Sequence, residues 1–254
     1  MGLDRALTPG ASWKIGYAPE SWSRLTDHLQ RQGYGFATLV RAGLMRWTDD
    51  GAPIDRYRNR LMLVARDQRL APTGFVGIDR AGRPELLTPT TPVHRPSNAL
   101  VGMEEQIDLL QHGATAVVVD DPMDAMVIEQ VSRSTTKQYV GIPLCESPMS
   151  TAQARMLRRY SETDRVIVMM PTDKESRQRA VGAALDLAFF FDRIRVLSRP
   201  SGHAMNYVAQ SPSGGRSMLE YLSLSKPLTG HQNGLNDNVT DHTSLGLEDP
   251  GPNL

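Results

Sequence analysis

The sequence predicts an α/β protein: a mixed α+β part first, then an α/β domain on a mainly parallel central sheet. Three observations carry this. From Met103 to Ser198, apolar runs alternate regularly with helical patterns, as βαβ units around a buried parallel sheet require. Between Asp55 and Gly102 the pattern shortens to β-type runs separated by turn residues. Before Leu44, apolar residues recur at helical spacing. The expected division is residues 1–102, 103–210 and 211–254, the last being a short helix with a disordered tail.

In chain order, Pro19 is placed to open a helix, and Trp22, Leu25 and Leu29 follow at helical spacing through "PESWSRLTDHLQRQG". Gly33 stops it, and "GFATLVRAGL" makes a second short helix. "RLMLVARD" and "TGFVGIDR", joined by "QRLAP", predict an antiparallel pair; the proline-rich "RPELLTPTTPVHRPSNAL" predicts extended loop. Then come helix "MEEQIDLLQHG", strand "ATAVVV", helix "PMDAMVIEQVS" and strand "QYVGIPL". Helix "TAQARMLRRY", strand "DRVIVMM", helix "KESRQRAVGAALDLAFFF" and strand "RIRVLS" complete the series. "SMLEYLSLS" allows one or two helical turns, and the polar, Gly- and Asn-rich remainder is expected to be disordered.

Composition excludes several function classes. Lys+Arg and Asp+Glu are both 28, so no net charge points to nucleic acid or membrane. Cys145 is the only cysteine, which rules out an intrachain disulfide and argues against a Cys-rich zinc site; no zinc is expected. No apolar run approaches the roughly 18 residues of a membrane span, and the start has no secretory layout. A cytoplasmic protein without membrane contact is expected.

The candidate chemistry lies at strand ends, where sites gather in open α/β sheets. "VVVDDPMD" runs from a strand into Asp120 and Asp121, and Asp173 follows another strand. Asp120, at a strand end, is the strongest of the three; the other two have a structural alternative. Asp121 before Pro122 has the layout of a helix N-cap, and Asp173 with Ser176 three residues on can be read likewise. Asp124 would face outward or pair with an arginine. Ser150 and Gln153 have capping-box spacing. "ARMLRRY" offers one exposed basic helix face. The six histidines form no ligand-spaced cluster, His203 reads as a loop residue, and Cys145 has no base near it in sequence.

Several stretches resemble the RNA-polymerase core of bacterial DnaG-type primases, over roughly Ile15 to Val208. "GYAPESWSRLTDHLQRQGYGFATLVRAGL" resembles that family's first helical segment, "DRYRNRLMLVARD" its Asp-Arg-Phe-Arg-x-Arg-Leu-Met-Phe-Pro-Ile-Arg-Asp, and "TGFVGIDR" its Gly-Phe-Gly-Gly-Arg. The alternating region is similar to a Toprim domain, the metal-binding module of these primases and of topoisomerases. The resemblance implies a Toprim-like α/β domain over 103–210, single-stranded DNA as partner, and Mg²⁺ or Mn²⁺ as cofactor. It also implies a setting in replication or DNA transfer, as in a plasmid or phage, with a protein partner from that process.

On that resemblance "DDPMD" takes the place of a Glu-Gly-Tyr-Met-Asp motif, with Asp120 for the glutamate and Asp124 for the closing aspartate. Asp120, Asp121, Asp124 and Asp173 become the metal candidates, and Asp120 and Asp173 the catalytic ones. Pro171 replaces the first aspartate of the family's Asp-Gly-Asp, "ESPMS" stands for its Gly-Thr-x-Leu-Thr, and Ala204 to Tyr207 has no carboxylate where Asp-Pro-Asp-Glu would fall. Family basic positions fall on Ile78, Glu85 and Pro96, with Arg95 beside the last as a substitute. Arg56, Arg58 and Arg60 remain; alternating along one extended segment, they would face a phosphate backbone or nucleotide together. Primer synthesis by two Mg²⁺ about 3.5–4 Å apart needs more carboxylates than these. Two functions stay open: a divergent, active DNA-directed RNA primase, or a primase-like core that retains binding. The losses favour the second. Neither a zinc ribbon nor a helicase-binding domain is expected.

Overall fold

The structure, a computed structural model, describes residues 13–81, 83–85, 89–199 and 214–227. The chain opens with strand β1 (Gly16–Ala18), helices α1 (Arg24–Arg31) and α2 (Phe36–Arg41), and a two-stranded hairpin of β2 (Met45–Trp47) and β3 (Pro53–Asp55). Strands β4 (Arg60–Arg66) and β5 (Pro72–Ile78) pair antiparallel, as their alternating patterns predict. They form an antiparallel sheet with β1, β6 (Pro84–Glu85) and β7 (Leu100–Val101), the last two at the ends of the proline-rich stretch.

The alternating region folds as its pattern predicts. Helix α3 (Met103–Gln111), β8 (Thr115–Val119), α4 (Pro122–Ser134), β9 (Tyr139–Pro143), α5 (Thr151–Tyr160), β10 (Arg165–Met170), α6 (Lys174–Leu187) and β11 (Arg193–Ser198) follow one another. Helix α7 (Gly214–Ser223) precedes β12 (Lys226–Pro227). The sheet order is β12-β11-β10-β8-β9, parallel throughout except at β12. The expected tail beyond residue 227 lies outside the described residues.

Period-two alternation sorts the parallel strands into two cores. Ala116, Val118, Val166 and Val168 face Leu110, Leu157 and Leu187 of α3, α5 and α6. Val117, Val119, Ile167 and Met169 face α4, α7 and the antiparallel sheet, where Leu63, Ala65 and Val76 meet them. One continuous core thus ties the two sheets together.

Two expectations are corrected. Pro19 does not open a helix: the preceding Gly16–Ala18 pairs with Arg60–Met62, and α1 begins only at Arg24. The sheet edge competes for that segment and wins, leaving Trp22 63% exposed ahead of the helix. Arg56, Arg58 and Arg60 do not share one extended segment either. Asn59 has φ 53°, a left-handed residue that breaks the alternation between β3 and β4.

Gly141, in mid-β9, lets α4 pack closely on the sheet. A Cβ built there would lie 2.3 Å from Ala125 Cα and 2.6 Å from its carbonyl oxygen, both backbone atoms of α4. Gly141→Ala is therefore expected to destabilise the fold by about 3 kcal/mol, read as a lower urea midpoint at unchanged slope.

Candidate functional site

Strand order reverses at β8, which connects through α4 to β9 on one side and lies beside β10 on the other. The crevice outside the carboxyl ends of β8 and β10 is thus the topological switch point, the expected place for a site. Asp120 follows β8, and Asp173 lies three residues past β10. The acidic stretch therefore sits where a site belongs, but its side chains are already engaged.

Asp120 is 5% exposed. Its Oδ1 accepts from Nε of Arg179 at 3.3 Å, and its Oδ2 from Nη2 of Arg179 at 2.9 Å and from Ser176 Oγ at 3.2 Å. Arg179 Nη2 also donates to Ser176 Oγ at 2.9 Å. Both partners lie on α6, three residues apart and hence on one helix face. The hydrogen bonds it donates to Asp120 hold the Arg179 guanidinium more firmly protonated than usual, and the charges of Asp120, Asp173 and Glu146 add to this.

Asp121 caps α4, accepting from Met123 N at 2.8 Å with Pro122 at the first helical position. Asp124, 1% exposed, pairs with Arg199. Arg199 is fixed by its own N–H donating to Met170 O at 2.7 Å. Asp173 caps α6 through Ser176 N at 2.8 Å and is itself exposed. Among the described residues, no group of three or more His, Cys, Asp or Glu side chains is placed to hold a metal ion. The donor set fits a divalent cation poorly, because the buried carboxylates already accept from guanidinium and backbone N–H groups.

The loop after β9 closes the crevice. Cys145 and Glu146 are both left-handed (φ 55° and 58°), and Glu146 N donates to Asp120 O at 3.3 Å. Burial pushes the Cys145 thiol pKa far up, with Asp121, Asp120 and Glu146 adding to the effect, so this thiol is no nucleophile. Ser150 and Gln153 make the full capping box of α5. Ala204 to Tyr207 and His203 lie outside the described residues.

The arginines are distributed over three places. Arg58 donates from Nε to Ser21 O at 2.7 Å, and its guanidinium lies 4.1 Å from the centroid of the exposed Trp22 ring. Arg60 begins β4, beside β1; Tyr17 of β1 is 59% exposed and bonds Asn59. Arg56 is anchored through its N–H to Leu44 O at 2.9 Å. Arg95 stands apart. It lies near Asp67 and Gln68, beyond the far end of the seven-residue β4, about 20 Å from Arg60 at 3.3 Å per residue. On α5, Arg155 and Arg159 are exposed as expected, though Arg155 and Arg158 lie over Phe190 and Phe191 at 5.6 and 5.8 Å.

Sequence reasoning missed three residues that organise this region: Arg179, Arg199 and Asp55. Asp55, 4% exposed, accepts from Leu25 N at 2.7 Å and from Thr26 N and Oγ1 at 2.8 and 2.6 Å. Its own N–H donates to Trp22 O at 2.6 Å. Capping α1 from thirty residues away, it fixes the segment that carries Trp22 beneath Arg58. No local spacing reveals such a cap. For Arg179 the available signal is its position three residues after Ser176, but Arg177, two residues before it, has the same residue type.

Both kinds of cap can be tested by stability. Asp55→Ala should cost about 3 kcal/mol in urea denaturation, since it strands buried donors that a carboxylate satisfied. Asp173 is the pH-dependent case: the backbone hydrogen bond from Ser176 holds its carboxyl below the usual range. A depressed folded pKa stabilises above the unfolded value of about 3.9, and that contribution disappears as pH falls through the folded value. Asp173→Ala should therefore be less stable than the parent at neutral pH, with the two converging below about pH 4 in a pH series of urea melts.

Comparison with known proteins agrees with the fold. The profile of the DNA primase catalytic core, N-terminal domain, matches residues 4–106. A DNA primase of Synechococcus elongatus is 30% identical over 198 residues, 75% of this chain and 28% of that protein. A DNA primase of Synechocystis is 26% identical over 225 residues, 85% of this chain and 34% of that protein. The chain thus spans about a third of the length of these curated relatives. A structure of the DnaG primase catalytic domain bound to single-stranded DNA superposes with a TM-score of 0.70 at 23% identity, covering 88% of this chain and 72% of that one. With the helices, hairpin and alternating sheet all in place, the chain belongs to the family of DnaG-type primase catalytic cores.

Proposed function

We propose that this chain acts as a DNA primase-like core that binds single-stranded DNA in replication or DNA transfer, with primer synthesis weak or lost. The observation that carries the binding half is Trp22: an indole 63% exposed, with the Arg58 guanidinium 4.1 Å from its centroid. Exposed aromatic faces beside cations are the usual means of holding single strands, the ring stacking on a base while guanidinium groups meet phosphates. Arg56 and Arg60 flank this position in sequence, and exposed Tyr17 extends it along β1. That a related catalytic domain takes single-stranded DNA supports the same partner here.

On this reading residues 1–102 carry the nucleic-acid face and residues 103–210, a Toprim-like domain, the scaffold. The loss of synthesis is supported by the acidic stretch: Asp120 and Asp124 are paired to arginines, and Pro171 stands where the resembling family has an aspartate. In the second reading, Asp120 and Asp173 serve Mg²⁺ or Mn²⁺ in an active, divergent primase; their place at the switch point favours it. A partner protein from replication or DNA transfer would direct either form.

The test is fluorescence anisotropy on a labelled single-stranded oligonucleotide across a salt series. Changing Arg56, Arg58 and Arg60 together to Ala should weaken binding at least about tenfold. It should also flatten the slope of log affinity against log salt by about 2, at roughly 0.7 for each phosphate no longer neutralised. Trp22→Ala should weaken binding with the slope unchanged, since stacking releases no counterions. Unaltered affinity and slope in the triple variant would sink the proposed face. Labelled primer made with Mg²⁺ or Mn²⁺, and abolished by Asp120→Ala, would establish the second reading.

A further inference from the structure

The acidic residues at the end of β8 face a charge problem that the geometry solves without an ion. Asp120 and Asp124 are 5% and 1% exposed, and Asp121 between them is 7% exposed. Three carboxylates so nearly buried within five residues repel one another strongly unless positive charge or N–H donors lie close. Asp121 takes the start of α4. Arg179 meets both oxygens of Asp120 from α6, and Arg199 meets Asp124 from the end of β11. Both guanidinium groups are themselves mostly buried, at 19% and 15% side-chain exposure. Solvent therefore screens these pairs far less than it screens surface ion pairs.

We propose that Arg179 is the cation of this site: its guanidinium replaces a divalent metal at Asp120, and Arg199 does the same at Asp124. The stretch from Asp120 to Asp124 is then a self-neutralised structural element that neither needs nor takes a divalent ion. The stereochemistry supports the exchange. A planar guanidinium offers parallel N–H donors to a carboxylate and satisfies both oxygens at once, with one positive charge against one negative. Magnesium needs near-octahedral oxygen ligands and several anionic donors to offset its dehydration. Ser176 completes the arrangement by donating to Asp120 while accepting from Arg179, so its hydroxyl serves both partners. This inference deepens the reading that primer synthesis is weak or lost, and its own readouts, ion binding and thermal stability, need no DNA.

Mn²⁺ titration of the full chain, followed by electron paramagnetic resonance, measures ion binding directly. Thermal denaturation with and without Mn²⁺ and chelator measures dependence on it. The parent should retain no stoichiometric Mn²⁺, and its Tm should be the same in both conditions. Asp120→Asn and Arg179→Gln should each lower Tm by about 10 °C, because each leaves a buried charge without its partner. The double variant Asp120→Asn/Arg179→Gln should recover most of that loss, a non-additivity that independent roles would not produce. Stoichiometric Mn²⁺ on the parent, lost in Asp120→Asn, would falsify the proposal; so would additive losses in the double variant. If a single variant fails to fold, folding of the double variant supports the proposal and its failure to fold overturns it. A primer-synthesis assay separates the two: stoichiometric Mn²⁺ with no labelled primer overturns only this inference, whereas stoichiometric Mn²⁺ with labelled primer overturns the loss of synthesis as well.

Discussion

A carboxylate at the buried end of a parallel strand must be compensated, and much of the crevice follows from that constraint. Taking an ion of this size out of water costs several kcal/mol even after relaxation, whereas an exposed ion pair contributes roughly 0–1 kcal/mol. Asp120 is in the first regime. Its compensation fixes where α6 must lie, because Ser176 and Arg179 have to reach across from β10 to β8. The registry of β8 with β10, in which Val119 pairs Met169, places the two strand ends side by side for that reach. Packing and charge therefore determine the same helix position: Ala184 and Leu187 seal one core while the first turns of α6 neutralise the crevice.

The two helix caps nearby belong to a different class. Asp121 and Asp173 each accept a backbone N–H at the start of a helix, where the helix dipole favours negative charge. Their sequences already contain the reason, a proline or a serine at the right offset. Asp120 and Asp124 instead meet guanidinium groups about sixty and seventy-five positions downstream. Four aspartates of similar appearance in the sequence thus divide by the range of their partners.

The same distinction separates what is legible in the sequence from what is not. The alternating domain can be read element by element because hydrophobic periodicity is a local property, and β8 to β11 fall where the apolar runs stand. The capping box of Ser150 and Gln153 is equally local. The illegible features are set by non-local competition. Gly16–Ala18 is too short to signal a strand and forms one only because β4 offers an edge. Asn59 turns left-handed between two strands, and a pattern of alternating arginines gives no warning of it. Asp55 looks like the first letter of an arginine motif, yet its side chain holds α1. Arg95 follows the motif order but lies at the other end of β4.

The changes at the crevice are consistent with one another in charge. Where the resembling family carries an aspartate, Pro171 contributes none, and the nearby helix supplies Arg179 in contact with Asp120. Removing a negative charge and committing a positive one both act against a divalent ion, and either alone would leave an imbalance in a poorly solvated place. Without Arg179, Asp120 would stay buried with only a hydroxyl for compensation. With Arg179 and a further aspartate at 171, one guanidinium would face two acids. The observed combination pairs one guanidinium with one buried carboxylate, while Asp173 remains at the surface, where water and a helix terminus suffice. The proposed binding face around Trp22 and Arg58 is built on other elements and is positioned by Asp55 rather than Asp120. On the proposed reading the fold thus separates a strand-binding face from the crevice where a primase-type core would carry a metal, so that either can change without the other.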